Sequence, residues 1–147
     1  MKNIWFKKPS IEECRNRSQG CMVEYIGIEV TEVGDDYIKG TMPVDHRTHQ
    51  PRKILHGGAS VVLAESLASL AGNYCVDLSK YICVGLEINA NHVKPVTEGV
   101  VEGTASPVHL GKTTQVWNTE IRQNGQLVCY SRMTLAVLDK DKTKIKT

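Results

Sequence analysis

Polar and apolar positions first take a helical spacing in IEECRNR, residues 11–17, directly after Ser10. Ser10 is a natural N-cap, and Glu13, three positions on, completes a capping box; Gly20 is expected to end the helix. Residues 24–33 and 36–44 then alternate loosely around Gly34-Asp35, a pair that predicts a hairpin turn. Residues 45–55 form a polar connection interrupted by Pro51. From Gly57 to about Val76 the spacing predicts a helix of about 20 residues, about 30 Å long. It is apolar or small on every face, so it must be covered all round. After Asp77-Leu78-Ser79-Lys80 the period becomes two. Across 81–93, Ile82, Val84, Leu86, Ile88 and Ala90 alternate with Cys83, Gly85, Glu87, Asn89 and Asn91. Segments 98–109, 113–122 and 127–138 follow, divided at Gly111 and at the turn pair Asn124-Gly125.

Two strands, one long helix and four further strands are therefore expected. Tight turns between consecutive strands imply antiparallel pairing, and a sheet of long strands can curl around the helix. The expected fold is α+β, an antiparallel sheet wrapped around one long central helix. Helix surface that one sheet leaves open would be covered by a second copy of the chain, which predicts a dimer. No repeat or linker divides the 147 residues, so residues 1–138 read as a single domain followed by a lysine-rich tail at 139–147, expected to fray.

Composition narrows the setting. Apolar residues make up 41% and charged residues 23%, with a net charge of only +2, which argues against disorder and against an obligate nucleic-acid binder. Trp5, Phe6 and Trp117 are too scattered to stack bases. The five cysteines are odd in number and nowhere spaced C-x-x-C, so free thiols in a reducing, cytoplasmic setting are expected. The N-terminus has no apolar run of signal-peptide length. Residues 54–76 are the most apolar stretch, but Glu65, His56 and Asn73 interrupt them, so no membrane span is expected. His46 and His49 have no ligand pattern around them and read as loop histidines, so no metal is expected.

One residue stands out chemically. Between Lys53 and Asp77, Glu65 is the only charged side chain of the Asp, Glu, Lys or Arg type, in the middle of a helix expected to be buried. An unpaired buried carboxylate costs several kcal/mol, on the order of the folding free energy itself, unless its pKa rises or partners are supplied. Val61, Ser69 and Gly72 share its stripe at helical spacing and describe a lined crevice. A structural carboxylate bonded to a neighbour would fit the same position. Gln50 and His56 precede Gly57-Gly58 at the helix start, where free N–H groups can hold an oxyanion. Gly57 and Glu65 would supply the two halves of an acyl-transfer site. Eight residues of helix hold them about 12 Å apart, so if both act, Glu65 must come from a neighbouring subunit.

Three segments then carry a specific resemblance: QPRKILHGGASVVLAESLASLAG from Gln50, VGLEINANHVKPV from Val84 and HLGKTTQVW from His109. In this order they resemble the hotdog-fold acyl-CoA thioesterases, PaaI-like. Within these, the likeness is to the branch that includes the 1,4-dihydroxy-2-naphthoyl-CoA thioesterases and the proofreading thioesterases of enterobactin synthesis. It spans roughly residues 3–138. The resemblance implies hydrolysis of an acyl-CoA thioester, with an aromatic or medium-chain acyl group, and neither metal nor redox cofactor. It implies Glu65 as nucleophile or general base and the Gly57 N–H as the group polarising the carbonyl. Gln50 and His56 would position that carbonyl, and Ser69 would orient water or the acyl group. Gly85, His92, Val93, Lys94 and Pro95 would line the pantetheine arm and acyl region. His109, Leu110, Gly111, Lys112, Thr113 and Thr114 would form the loop near the nucleotide. Sites shared across a homodimer, and two dimers joined as a homotetramer, are likewise implied.

Arg52-Lys53 depart from the pattern by placing two charges between Gln50 and His56, either at the pocket mouth or in water. The 77–80 turn is slightly longer than in the relatives. The shape of an acyl pocket would depend on which of Met42, Val62, Leu63, Ala68 and Tyr74 reach it and on the loops of the partner subunit. Three other functions compete: an acyl-carrier-protein thioesterase, a dehydratase acting on an acyl thioester, and a protein that binds acyl-CoA without turnover. The H-G-G-to-Glu spacing does not suit the dehydratase, and a pure binder has no need of Glu65.

Overall fold

The computed structural model describes residues 3–143. The chain runs α1 (Ile11–Arg17), α2 (Met22–Tyr25), β1 (Glu29–Val33), β2 (Ile38–Val44), α3 (Gly57–Tyr74), β3 (Tyr81–His92), β4 (Gly99–Leu110), β5 (Thr114–Gln123) and β6 (Gln126–Asp139). The capping box is present: the Ser10 hydroxyl accepts from the Glu13 N–H, and the Glu13 carboxylate from the Ser10 N–H. Residues 24–28 are not strand, as their alternation suggested. A helical turn ends there, and Gly27, at φ 79°, reverses the chain while Ile28 N–H returns to the Val23 carbonyl at 3.0 Å. A side chain at Gly27 would also meet the Pro43 ring at 2.9 Å, so only glycine suits both the turn and the contact.

All strands are antiparallel, in the order β1-β2-β4-β5-β6-β3. The sheet wraps around α3 in the hotdog arrangement. Consecutive strands pair except at α3, after which β3 joins the far side of β6 and becomes an edge. Leu63, Ala64, Leu67, Ala68 and Ala71 of α3 are buried against the sheet. Leu67 seats over Gly40 and Gly103, which face each other in register; Cβ atoms there would lie 2.8 and 2.9 Å from its methyl groups. Deeper along the helix, the Gly72 carbonyl accepts from Gln115 Nε2 at 3.2 Å and Cys83 Sγ at 3.3 Å, while Trp117 Nε1 donates to Gln115 Oε1 at 2.9 Å. Gln115 is thus a buried polar residue with both amide atoms satisfied.

α3 ends at Tyr74 rather than near Val76; Cys75 caps it, and the Asp77 turn follows. The expected all-round burial is met on one side only. Val61, Val62, Ser66, Ser69, Leu70 and Asn73 are half-buried and Glu65 is exposed, because a single sheet can cover a single side of a helix. Gly72, placed with Glu65 by spacing, instead faces the Gln115 network.

The tail begins bonded, not frayed. Lys140 N–H donates to the Lys80 carbonyl at 2.9 Å and its Nζ to the Leu78 carbonyl at 2.7 Å. Residues 144–147 of that tail lie outside the described residues. Among the described residues, no helix is long and apolar enough to cross a membrane.

All five cysteines are free. Burial pushes the Cys75 thiol up to about 12 and the Cys14 and Cys83 thiols up to about 11; Cys129 rises for the same reason. Cys21 alone is exposed. A thiol reagent that attacks thiolates is therefore expected to label Cys21 rapidly in native protein at pH 8, the other four reacting only on unfolding. Rapid labelling of a second thiol, read by mass spectrometry, would contradict this burial pattern.

Candidate active site

The loop before α3 is rigid for local reasons. Thr48 is buried, with its hydroxyl donating to the Pro43 carbonyl at 2.8 Å and accepting from the Asp45 N–H at 3.1 Å. Gln50 to Ile54 form a tight turn, Gln50 N–H to the Ile54 carbonyl at 2.9 Å, with Lys53 at φ 61°. Gln50 Oε1 accepts from the Arg52 N–H at 2.6 Å, which leaves the Nε2 amide to donate elsewhere. Arg52 and Lys53 are exposed and line no part of the cleft beside Gln50.

His56 is the N-cap of α3. Its Nδ1 accepts from the Gly58 N–H at 2.8 Å, which in the neutral ring places the proton on Nε2. The Gly57 N–H, first of the helix, has no acceptor among the described residues. A Cβ at Gly57 would lie 2.8 Å from His92 Nε2, so glycine is what lets β3 approach the helix start. Gln50, Gly57, His92, Val93, Lys94 and Pro95 line one open cleft of about 340 Å³. Six of the expected site residues thus come together from three segments. Ile54, Leu55, Ser60, Val96 and Val128 complete the walls. Ser60, one turn after Gly57, was legible as an i, i+3 neighbour; Val128 comes from β6, for which no local signal exists.

Glu65 and Ser69 are not in that cleft. Glu65 lies midway along α3, and its Oε1 is 3.4 Å from where a Cβ on Gly85 would stand. Gly85 is therefore beside the carboxylate rather than beside Gln50. The Ser69 hydroxyl contacts Met133 Sδ at 3.8 Å, and Ser69 opens into a second cleft of about 270 Å³ between α3 and the α1–α2–β1 segment. Of the five candidates for an acyl pocket, Met42, Leu63, Ala68 and Tyr74 are buried in the core and only Val62 reaches the open face. The second cleft takes its apolar walls from Val23, Ile28, Val30, Leu67 and Leu70 instead. Val23 of α2 and Ile28 just after it come from a stretch with no catalytic motif.

The 109–114 loop lies elsewhere again. Gly111 N–H bonds the Thr114 carbonyl at 2.9 Å, the Thr113 carbonyl takes the Val137 N–H at 2.8 Å, and His109 folds over Gly111. Gly111 and Lys112 line a hollow of about 560 Å³ with Phe6, Cys75 and Tyr81, near the C-terminal end of α3. His109, Leu110, Lys112 and Thr113 are exposed. In one chain, then, the Gly57 N–H, the Glu65 carboxylate and the 109–114 loop occupy three separate places. An N–H donor with a positioned amide suits a thioester carbonyl, and an isolated exposed carboxylate suits activation of water or direct attack.

Comparison with known proteins identifies the family. Residues 53–130 match the thioesterase superfamily. The chain is 49% identical over 136 residues to the 1,4-dihydroxy-2-naphthoyl-CoA hydrolase of Escherichia coli, covering 92% of this chain and 99% of that one. It is 45% identical to the proofreading thioesterase EntH of Cronobacter turicensis, covering 92% and 98%. A thioesterase structure from Haemophilus influenzae superposes with a TM-score of 0.92 at 43% identity, over 97% of this chain and 99% of that one. This chain belongs to the thioesterase superfamily.

Proposed function

We propose that this thioesterase hydrolyses an aromatic or medium-chain acyl-CoA to the free acid and CoA, at sites shared between two copies of the chain. The observation that carries the reading is the unpaired Gly57 N–H beside Gln50 at one end of α3, with Glu65 exposed in the middle of the same helix. The thioester oxygen accepts from Gly57 N–H and Gln50 Nε2. As general base, Glu65 takes a proton from water as the water oxygen attacks the carbonyl carbon and returns it to the departing thiolate; as nucleophile, it attacks that carbon itself and forms an acyl–Glu65 anhydride, which water hydrolyses after the C–S bond has broken. The oxyanion collapses, the C–S bond breaks, and the CoA thiolate leaves and is protonated. These steps use only the chain's own groups and water. The hydrolase and thioesterase names of the relatives support this chemistry, and the first of them supports an aromatic acyl group.

A second copy completes the site because α3 holds its two halves about 12 Å apart. β3 offers the surface. Its outer edge is unpaired among the described residues, and an open edge is a template for pairing. Asn73 blocks only its start, accepting from the Cys83 N–H at 3.0 Å and donating to the Cys83 carbonyl at 3.2 Å. Leu86, on that strand, and Val93, just past its end, are exposed apolar residues awaiting cover. Antiparallel pairing of two β3 edges about a twofold axis near the middle of the strand brings the Gly85 end of one copy towards His92 of the other. Glu65 stands at Gly85 and Gly57 at His92, so this pairing brings carboxylate and oxyanion donor together. Pairs of such dimers form the tetramer, and the reducing cytoplasm keeps the five thiols free.

Mixing separates a shared site from a self-contained one. Gln50→Ala and Glu65→Gln are each expected to be nearly inactive in a thiol-release assay with acyl-CoA. Refolded together, they are expected to recover about a quarter of wild-type turnover, because half the dimers are mixed and each carries one intact site. No recovery in verified mixed dimers would place both halves in one chain and overturn the shared site. Single-turnover hydrolysis in 18O-water distinguishes the roles of Glu65, since label in the carboxylate marks the nucleophile.

A further inference from the structure

The cleft under Ser69 has a polar end that the hydrolysis steps do not use. Its walls are mainly apolar, from Val23, Ile28, Val30 and Leu70, with Ser66 and Asn73 of α3 among them, and Arg17 of α1 also lines it. The Arg17 guanidinium lies over the Tyr74 ring, 5.4 Å from its centroid, which holds a long side chain in a defined place. The nearby acids are engaged elsewhere. Glu24 accepts from the Gly20 N–H at 2.7 Å, Glu29 pairs with Arg15 at 3.7 Å, and Glu13 pairs with Lys7 at 2.8 Å. Among the described residues Arg17 forms no ion pair. An apolar trough that starts at Ser69, next to Glu65 by one helical turn, and ends at an unpaired guanidinium is shaped for a group apolar near the thioester and anionic at its far end.

We infer that this cleft receives the acyl group and that Arg17 selects acyl groups carrying a distal carboxylate. The inference rests on the thioesterase reading and deepens it by naming the substrate class. The planar guanidinium matches a carboxylate through two parallel hydrogen bonds, which an ammonium does not reproduce. Arg17 is a specificity residue: it acts on the end of the acyl group remote from the reacting carbon. The positive charges of Arg52 and Lys53 have no part in this, since both are exposed and outside the cleft beside Gln50.

Two matched thioethers that cannot be hydrolysed, 4-carboxyphenacyl-CoA and 4-methylphenacyl-CoA, test the inference by calorimetric binding. Wild-type protein is expected to bind the carboxylate tighter by about tenfold or more. Arg17→Met is expected to abolish that preference, Arg17→Lys to retain part of it, and neither to change the melting temperature appreciably. A preference that survives in Arg17→Met, a wild-type preference for the methyl compound, or binding of neither overturns the assignment. The corresponding benzoyl thioesters, assayed in parallel for kcat/KM, separate the two readings. Selective binding without hydrolysis of either ester supports Arg17 and removes the thioesterase reading. Hydrolysis of both without an Arg17-dependent preference does the reverse.

Discussion

Glu65→Gln is expected to lower kcat for acyl-CoA hydrolysis by about 100-fold or more, with the melting temperature within a degree or so of wild type. The two halves of this expectation have separate origins. Glutamine keeps the length and polarity of the side chain but cannot take a proton from water or attack a carbonyl carbon, so the loss falls on turnover. The fold is spared because the Glu65 carboxylate is exposed and, among the described residues, makes no ion pair or hydrogen bond within its own chain. A structural carboxylate would behave in the opposite way, losing stability with the substitution. The measurement is thiol release over an acyl-CoA panel, aromatic, medium-chain, short-chain and dicarboxylic, run beside a thermal scan. Unimpaired turnover in this variant would remove Glu65 from the mechanism.

Leu67→Ala is expected to act chiefly on stability. Leu67 is about 1% exposed and clasped by two glycines on adjacent strands. Truncation removes three buried carbons and leaves a void that the sheet cannot close, because the backbone at Gly40 and Gly103 is held by pairing on both sides. Large-to-small substitutions of this kind cost about 2–5 kcal/mol. Urea unfolding should show a lower midpoint at an unchanged slope. A loss under about 1 kcal/mol would mean that the helix resettles on the sheet, contrary to close packing.

How much of this was legible beforehand depends on the range of each interaction. The α1 capping box and the Asn124-Gly125 turn are set within a few residues, and the sequence alone specified them; β3 forms where expected, but a bulge between Gly85 and Glu87 breaks its period of two, so that Leu86 is exposed and Cys83 buried. Residues 24–28 misled because alternation over a few positions does not separate a strand from a helical turn ended by glycine. The helix end was placed two residues late for a related reason, since Cys75 and Val76 remain apolar after the helical bonds stop.

The site divides along the same line. Gln50, His56, Gly57 and Glu65 stood out through residue type and spacing along one helix, and the eight-residue separation already required a second copy for joint action. Three matters were decided by tertiary structure. Leaving α3, the chain takes β3 to the sheet edge, and this creates the unpaired strand on which Gly85 and His92 stand. One sheet covers one face of α3, and this exposes Glu65 although the helix is apolar enough for burial. The α1–α2 segment folds back over Ser66 and Ser69, and this brings Arg17 to a cleft about fifty residues away in the chain. Local propensity is written in neighbouring side chains, whereas strand order and helix facing come from burying the most apolar surface that chain connectivity allows; that balance is struck only in the assembled fold.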